Sequence, residues 1–342
     1  MRVQCSHRFV LLMYTQDWAA LGQVAADVDW EPARQCASFA ALCRAKLHST
    51  EVVAAKPASI QPLWSNAGPP FISGFRVSLA LGGSEEFSWD FTDAYFQRLA
   101  QNTAAYFVEM GRVAAGESVK FLVAAFPRQD VPAVVTQPRF VAEEIEPPLP
   151  LGEGSLSAAT RRATPVGVVD SGLMPVLIPR QVLREAAALS HGAEAKETGG
   201  ILIGRLCRDL QLLTIFARVT AQIPARHVEA TEASLTFTSE TWTEVRAALE
   251  LRKKDELMLG WWHSHLVTRA LCKDCPVERQ RNCRLAKDFF SAHDHALHRA
   301  VFPKAFSVGL VVNDVAYSDP TFSLFGWNQG VLEPRGFFVQ EE

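Results

Sequence analysis

Residues Leu257 to Trp262 form an almost wholly apolar run that ends directly on His263-Ser264-His265. So short and apolar a run predicts a strand buried on both faces, and such a strand needs a sheet covered on both sides. Ser307 to Val312 is a second run of the same kind. With helical patterns at Arg180–His191 and from Thr241 to about Lys254, these runs predict a mixed sheet flanked by helices. Thr241 and Glu244 have the spacing of a capping box. Val176 to Ile178, between Pro175 and Pro179, predicts a brief edge strand.

At 342 residues and 48% hydrophobic, the chain holds enough apolar material for two cores. Proline marks the division. Pro132, Pro138, Pro147, Pro148, Pro150 and Pro165 lie among Gly, Ser and acidic residues, which predicts a linker over 131–165. Before it, residues 1–130 read as an α+β domain. Cys36, Phe39, Ala40 and Cys43 make one apolar helix stripe, 74–91 reads as a hairpin, and a helix follows from Thr92 or Asp93 to Gly111. After the linker, 166–342 reads as a second domain of α/β (α+β) class.

A net charge of −3 argues against a nucleic-acid binder or a polybasic membrane binder. No apolar run approaches the length of a transmembrane helix. The first residues lack a small-residue cleavage site, so no signal peptide is expected. Seven cysteines make an odd and sparse set, which favours a reducing, cytoplasmic setting over a disulfide framework. Arg outnumbers Lys by 25 to 9 and Ala is abundant, a compositional cue to a GC-rich bacterial genome.

Five of the nine His and three of the seven Cys fall between His263 and His298. On an extended segment His263 and His265 point to one face and can converge on one ion. A catalytic zinc takes three protein ligands and keeps a position for water. Asp294 suits the third, because Ser291-Ala-His-Asp294 has the spacing of a helix start, with Ser291 capping and Asp294 one turn on. A hydrolytic site also needs a base, and Glu197, before Thr198-Gly199-Gly200 and the strand Ile201–Gly204, is the candidate. Gly199, Gly200 and Ser264 are expected beside the cleft, with Ser264 bracing the loop.

These separated elements resemble the JAMM (MPN-plus, JAB domain) zinc metallopeptidases over about 168–330. The matching residues are Glu197-Thr-Gly-Gly-Ile-Leu-Ile-Gly, Trp-Trp-His263-Ser264-His265 and Ser291-Ala-His-Asp294. The resemblance implies a JAB/MPN-like C-terminal domain and zinc ligation by His263, His265 and Asp294. It implies that Glu197 activates water and that Ser291 stabilises an oxyanion. It implies an isopeptidase or peptidase that cuts after the C-terminal Gly of a ubiquitin-like protein, in deconjugation or tail maturation. A bacterial ubiquitin-like conjugation or antiphage defence system, with its own activating and conjugating enzymes, is the setting implied. The N-terminal domain would then recognise substrate or partner. A catalytically silent MPN scaffold and a zinc hydrolase of a small molecule are the other readings.

The chain departs from the family pattern twice. Leu266 stands where the family has Pro, and 28 residues separate His265 from Asp294, more than is usual. The added stretch, about 266–288, carries Cys272-x2-Cys275 and Cys283. These three could hold a second, structural zinc, with His293, His295, His298 or Cys207 as a fourth ligand, or could be free thiols of a surface loop. The grouped histidines His293, His295 and His298 read as a polar helix face.

Overall fold

A computed structural model of the protein describes residues 3–44, 58–80, 86–128, 149–193, 196–230, 235–265, 289–313 and 320–341. The described chain is mixed α and β and divides into two compact units, the first made of Met1–Leu42, Lys46–Pro148 and Gln329–Val331, the second of Cys43–Ala45, Leu149–Asn328 and Leu332–Glu342.

The first unit contains β1 (Gln4–Cys5), β2 (His7–Thr15), β3 (Ala20–Ala26), α1 (Glu31–Cys43), β4 (Ser59–Trp64), β5 (Ile72–Ala80), β6 (Glu86–Thr92), α2 (Gln97–Glu109) and β7 (Val119–Pro127). Among the described residues these strands form one sheet in the order β1-β4-β5-β6 and another in the order β3-β2-β7. Phe9, Phe75, Phe91 and Phe96 fill the core between helices and sheets. Phe75 and Phe91 stack across the β5–β6 pair at 5.0 Å, the type of cross-strand aromatic contact that holds a hairpin in register. The hairpin and both helices follow the sequence pattern closely. Burial pushes the Cys36 thiol up to about 12, so it packs as a small hydrophobe.

The second unit contains β8 (Leu151–Glu153), α3 (Leu156–Thr160), β9 (Ala163–Val166), β10 (Val176–Pro179), α4 (Arg180–Gly192), β11 (Gly199–Asp209), β12 (Thr214–Pro224), β13 (Val228–Ala230), β14 (Leu235–Phe237), α5 (Ser239–Arg252), β15 (Leu257–His265), α6 (Ala292–Val301), β16 (Val308–Asn313), β17 (Thr321–Asn328), β18 (Val331–Arg335) and β19 (Phe337–Gln340). Its main sheet runs β18-β17-β16-β15-β11-β12-β10-β19-β9, with β8 paired to β11, ten strands among the described residues. It is mixed: β15 is antiparallel to β11 and parallel to β16. Parallel neighbours need a crossover, and α6 lies on the one between β15 and β16.

Three expectations change. The predicted linker does not extend to 165, because β8 and β9 in its second half are strands of the main sheet. Pro165 sits in β9, at the sheet's end, where a missing donor costs no central ladder bond. Second, β10 is internal, lying between β12 and β19. Pro175 lacks only a donor, and its carbonyl accepts from Ala217 N at 2.8 Å. Third, α5 starts earlier than expected. Thr238 is its N-cap, without a side-chain cap bond, and Thr241 donates its hydroxyl to the His227 carbonyl instead.

β11 and β15 approach closely where glycine allows it. A Cβ on Gly200 would lie 2.5 Å from the Ile223 carbonyl oxygen and 2.6 Å from Trp262 Nε1. Gly192, at the end of α4, has nothing within 4 Å of that position. Gly200→Ala should therefore cost about 1–3 kcal/mol of stability through forced displacement of packed neighbours, and Gly192→Ala should cost none. Denaturant unfolding of the two variants measures this, and equal effects would disprove the packing role.

Candidate metal centre

Register builds the site. Gly199 pairs with His263 across β11 and β15. One step outward, Ser264 N donates to the Thr198 carbonyl at 2.9 Å and Thr198 N donates to Ser264 Oγ at 3.0 Å. Ser264 thus braces the segment before β11. Continuing that pairing sets Glu197 against the end of β15 that carries His265. His263 and His265 alternate with Ser264, so both imidazoles emerge on one face of the strand.

The helix α6 supplies the third group. Ser291 Oγ accepts from Asp294 N at 3.1 Å and Asp294 Oδ2 accepts from Ser291 N at 2.7 Å, a reciprocal capping box. This fixes the Asp294 side chain and leaves Oδ1 toward the histidines. His263 Nε2 lies 3.4 Å from Asp294 Oδ1, His265 Nε2 lies 3.7 Å from Oδ2, and the two Nε2 atoms are 2.9 Å apart. Ligands around a tetrahedral zinc with bonds of about 2.0–2.1 Å stand about 3.3 Å from one another. The three side chains fit that spacing, and their candidate ligand atoms all lie within 4.8 Å of one another. His263, His265 and Asp294 are buried and could hold a metal ion.

The electrostatics ask for a cation. Burial would raise the Asp294 carboxyl, but hydrogen bonds from His263 and His265 and from the Ser291 amide hold it well below the usual carboxylate range. Burial lowers His263, keeping its imidazole in the neutral form that binds metals. Glu197 is only 4% exposed. Burial and the Asp294 charge push its carboxyl up to about 8. Two carboxyl groups close together in a buried site resist double ionisation unless positive charge joins them.

Aromatic rings hold the imidazoles. Trp261 stacks on His263 at 4.5 Å and 13°, and Phe289 lies 4.6 Å from His265. The Nδ1 atoms of both histidines are buried without a partner among the described residues. Ring packing therefore does the orienting that a hydrogen bond to Nδ1 commonly does. Sequence reasoning reads Trp261 only as core or cleft wall and does not single out Phe289 or Phe290. The available signal was Trp261-x-His263, two residues on one strand face.

The structure brings Glu197, His263, His265, Ser291 and Asp294 together. It does not make Gly199, Gly200 and Ser264 cleft surface. All three are buried, and a Cβ on Gly199 would sit 2.5 Å from both Leu235 Cδ2 and the Trp262 carbonyl oxygen. The glycines serve strand packing. Cys272, Cys275 and Cys283 lie outside the described residues. Of their suggested partners, Cys207 packs with Leu177 and Phe216, and His293 Nε2 faces the Leu235 carbonyl at 3.2 Å. His298 is fully buried rather than part of a polar face.

No family model and no curated protein matches the chain. Among solved structures the chain is similar to a protein of Desulfitobacterium hafniense known from its solution structure. The likeness is 20% identity over 49% of this chain and 94% of that one, with a TM-score of 0.34, too small to carry an argument. No helix among the described residues is long and apolar enough to cross a membrane.

Two outcomes follow from this geometry. Titration with zinc(II) should raise the melting temperature at one equivalent per site, and Asp294→Ala should lose that shift, because a ligand bound only by the folded state stabilises it. In metal-free protein, Glu197 has a folded pKa of about 8, above its ordinary 4.5. Its stabilising contribution is present below pH 4.5 and is lost as pH rises through 8. Glu197→Gln should thus gain stability relative to wild type as pH rises across that window. Parallel stability–pH curves for the two metal-free proteins would contradict the buried placement of Glu197.

Proposed function

We propose that the chain is a zinc-dependent isopeptidase or peptidase that cuts after the C-terminal Gly of a ubiquitin-like protein. The observation that carries this reading is the convergence of Glu197 with the buried His263, His265 and Asp294 group. That convergence matches the order of elements by which the sequence resembles the JAMM metallopeptidases. The substrate class comes from the resemblance, as does the JAB/MPN-like assignment of the second unit.

His263, His265 and Asp294 would hold the ion. Zinc there supplies Lewis-acid polarisation of a carbonyl and a lowered pKa for an attacking water. Glu197, desolvated and close enough to feel the Asp294 charge, takes the proton of the attacking water and passes it to the departing amine. Positive charge held beside Asp294 would oppose the two causes that raise the Glu197 carboxyl, burial first and the Asp294 charge second, and would favour the ionised form a base requires. Ser291 accepts from Asp294 N through Oγ, which leaves its hydroxyl proton free to donate to an oxyanion. Ser264 keeps Glu197 in register through its two bonds to Thr198.

The test is cleavage of a lysine conjugate of a ubiquitin-like protein by zinc-loaded enzyme. Glu197→Gln should lose about 10²–10⁴-fold in rate and still bind one zinc. Cleavage that survives the substitution removes Glu197 as the base. A zinc-loaded wild type that cuts no Gly-tailed conjugate sinks the substrate class. In that case the silent scaffold and the small-molecule hydrolase are separated by assay on simple amides and esters.

A further inference from the structure

We propose that His298, acting through Trp261, is a positioning residue that sets the orientation of the His263 imidazole and with it the affinity of the metal centre. The inference rests on the metal-binding part of the function proposed above and not on its substrate class.

The geometry is a two-rung ladder between a strand and a helix. Trp261 and His263 are two apart on β15 and share a face. Asp294 and His298 are four apart on α6 and share a face. Two strand residues advance about 6.6 Å and four helical residues about 6 Å, so the two pairs can meet rung to rung. The first rung is His263 Nε2 with Asp294 Oδ1 at 3.4 Å. The second is Trp261 Nε1, which donates to His298 Nδ1 at 3.0 Å. Trp261 then lies flat on His263 at 4.5 Å. The indole is pinned at its nitrogen by one helix residue while its face carries the ring whose Nε2 meets the other.

Chemistry fixes the state of His298. An indole N–H only donates, so Nδ1 must accept and the imidazole proton sits on Nε2. That Nε2 is buried with no partner among the described residues. Its surroundings are rings, with Trp327 at 5.5 Å and Phe302 at 5.9 Å. Burial pushes His298 down to about 3, so the acceptor persists across the neutral range. An apolar side chain here would spare the buried Nε2 donor but would leave the Trp261 N–H without its acceptor. The imidazole is explained by the one bond it makes, and that bond ends on the ring that orients His263, whose own Nδ1 has no partner among the described residues.

The experiment measures zinc(II) affinity of the full-length protein by chelator competition, with the visible spectrum of the cobalt(II) form as a second readout of ligand geometry. His298→Leu removes the acceptor and keeps bulk. Trp261→Phe removes the donor. Each should weaken zinc at least about tenfold, the usual scale for loss of a group that orients a metal ligand, and shift the cobalt bands. The double variant should bind no more weakly than the worse single one, because both break the same link. His298→Asn, which can return an acceptor near the Nδ1 position, should bind close to wild type. His298→Leu with unchanged affinity, or penalties that add in the double variant, would overturn the proposal. If His298→Leu does not fold, the other two decide it: full affinity in Trp261→Phe, or a loss in folded His298→Asn as large as that of Trp261→Phe, overturns it. Wild-type protein that binds zinc but cuts no conjugate defeats the proposed substrate reading and leaves this one standing. Wild-type protein that binds no zinc defeats both.

Discussion

Gly199 pairs with His263 at a point where the Trp262 carbonyl oxygen and the Leu235 side chain leave no room for a Cβ. The rest of the site depends on that pairing. It sets the register of β11 against β15, and register decides which residues share a face. A slip of one residue would turn His263 and His265 away from Asp294 and bring Trp262 and Ser264 into their place. The doubled hydrogen bond between Thr198 and Ser264 extends the same register past the end of β11 and delivers Glu197. On the far side, β16 pairs with β15 in parallel through His265 and Asn313. The strand bearing the histidines is therefore held by β11 from Leu257 to His263 and by β16 from Gly260 to His265.

Charge is arranged on this frame with little slack. The capping box commits Asp294 Oδ2 to the Ser291 amide, so the helix end that needs an anion and the site that needs a ligand share one carboxylate. Glu197 is left with its charge opposed by burial and by Asp294. Such a pair is costly in an empty site and natural beside a cation. The aromatic rings around the imidazoles deepen this by excluding water, which strengthens every interaction among the polar atoms they enclose.

Much of the site was legible in the sequence because its signals are local. His263 and His265 follow an apolar strand, and Ser291 and Asp294 carry a helix-start spacing. The residues that were missed or misread act over long range. Nothing local says that Trp261 and His298, 37 residues apart, form a bond. His298 looked polar because its neighbours His293 and His295 are, whereas the helix turns it inward beside Asp294. The paired glycines suggested a cleft because glycine marks close approach. The approaching groups are the β15 backbone and the side chains around it. The fold departs from the sequence pattern where proline reads as an end of structure. Pro165 is tolerated because β9 lies at a sheet edge, and Pro175, just before β10, still offers its carbonyl to Ala217 N. The start of α5 differs because Thr238 takes the N-cap position and Thr241 lies inside the helix, its hydroxyl donating to the His227 carbonyl.

The crossover from β15 through α6 to β16 has a consequence for how such a chain can diversify. Among the described residues, His263 and His265 are anchored by the sheet and Asp294 by its own helix cap. These described anchors do not depend on the length of chain between His265 and Phe289. An insertion at this point would leave those anchors in place. New recognition can be acquired there by lengthening the chain, without reworking the centre.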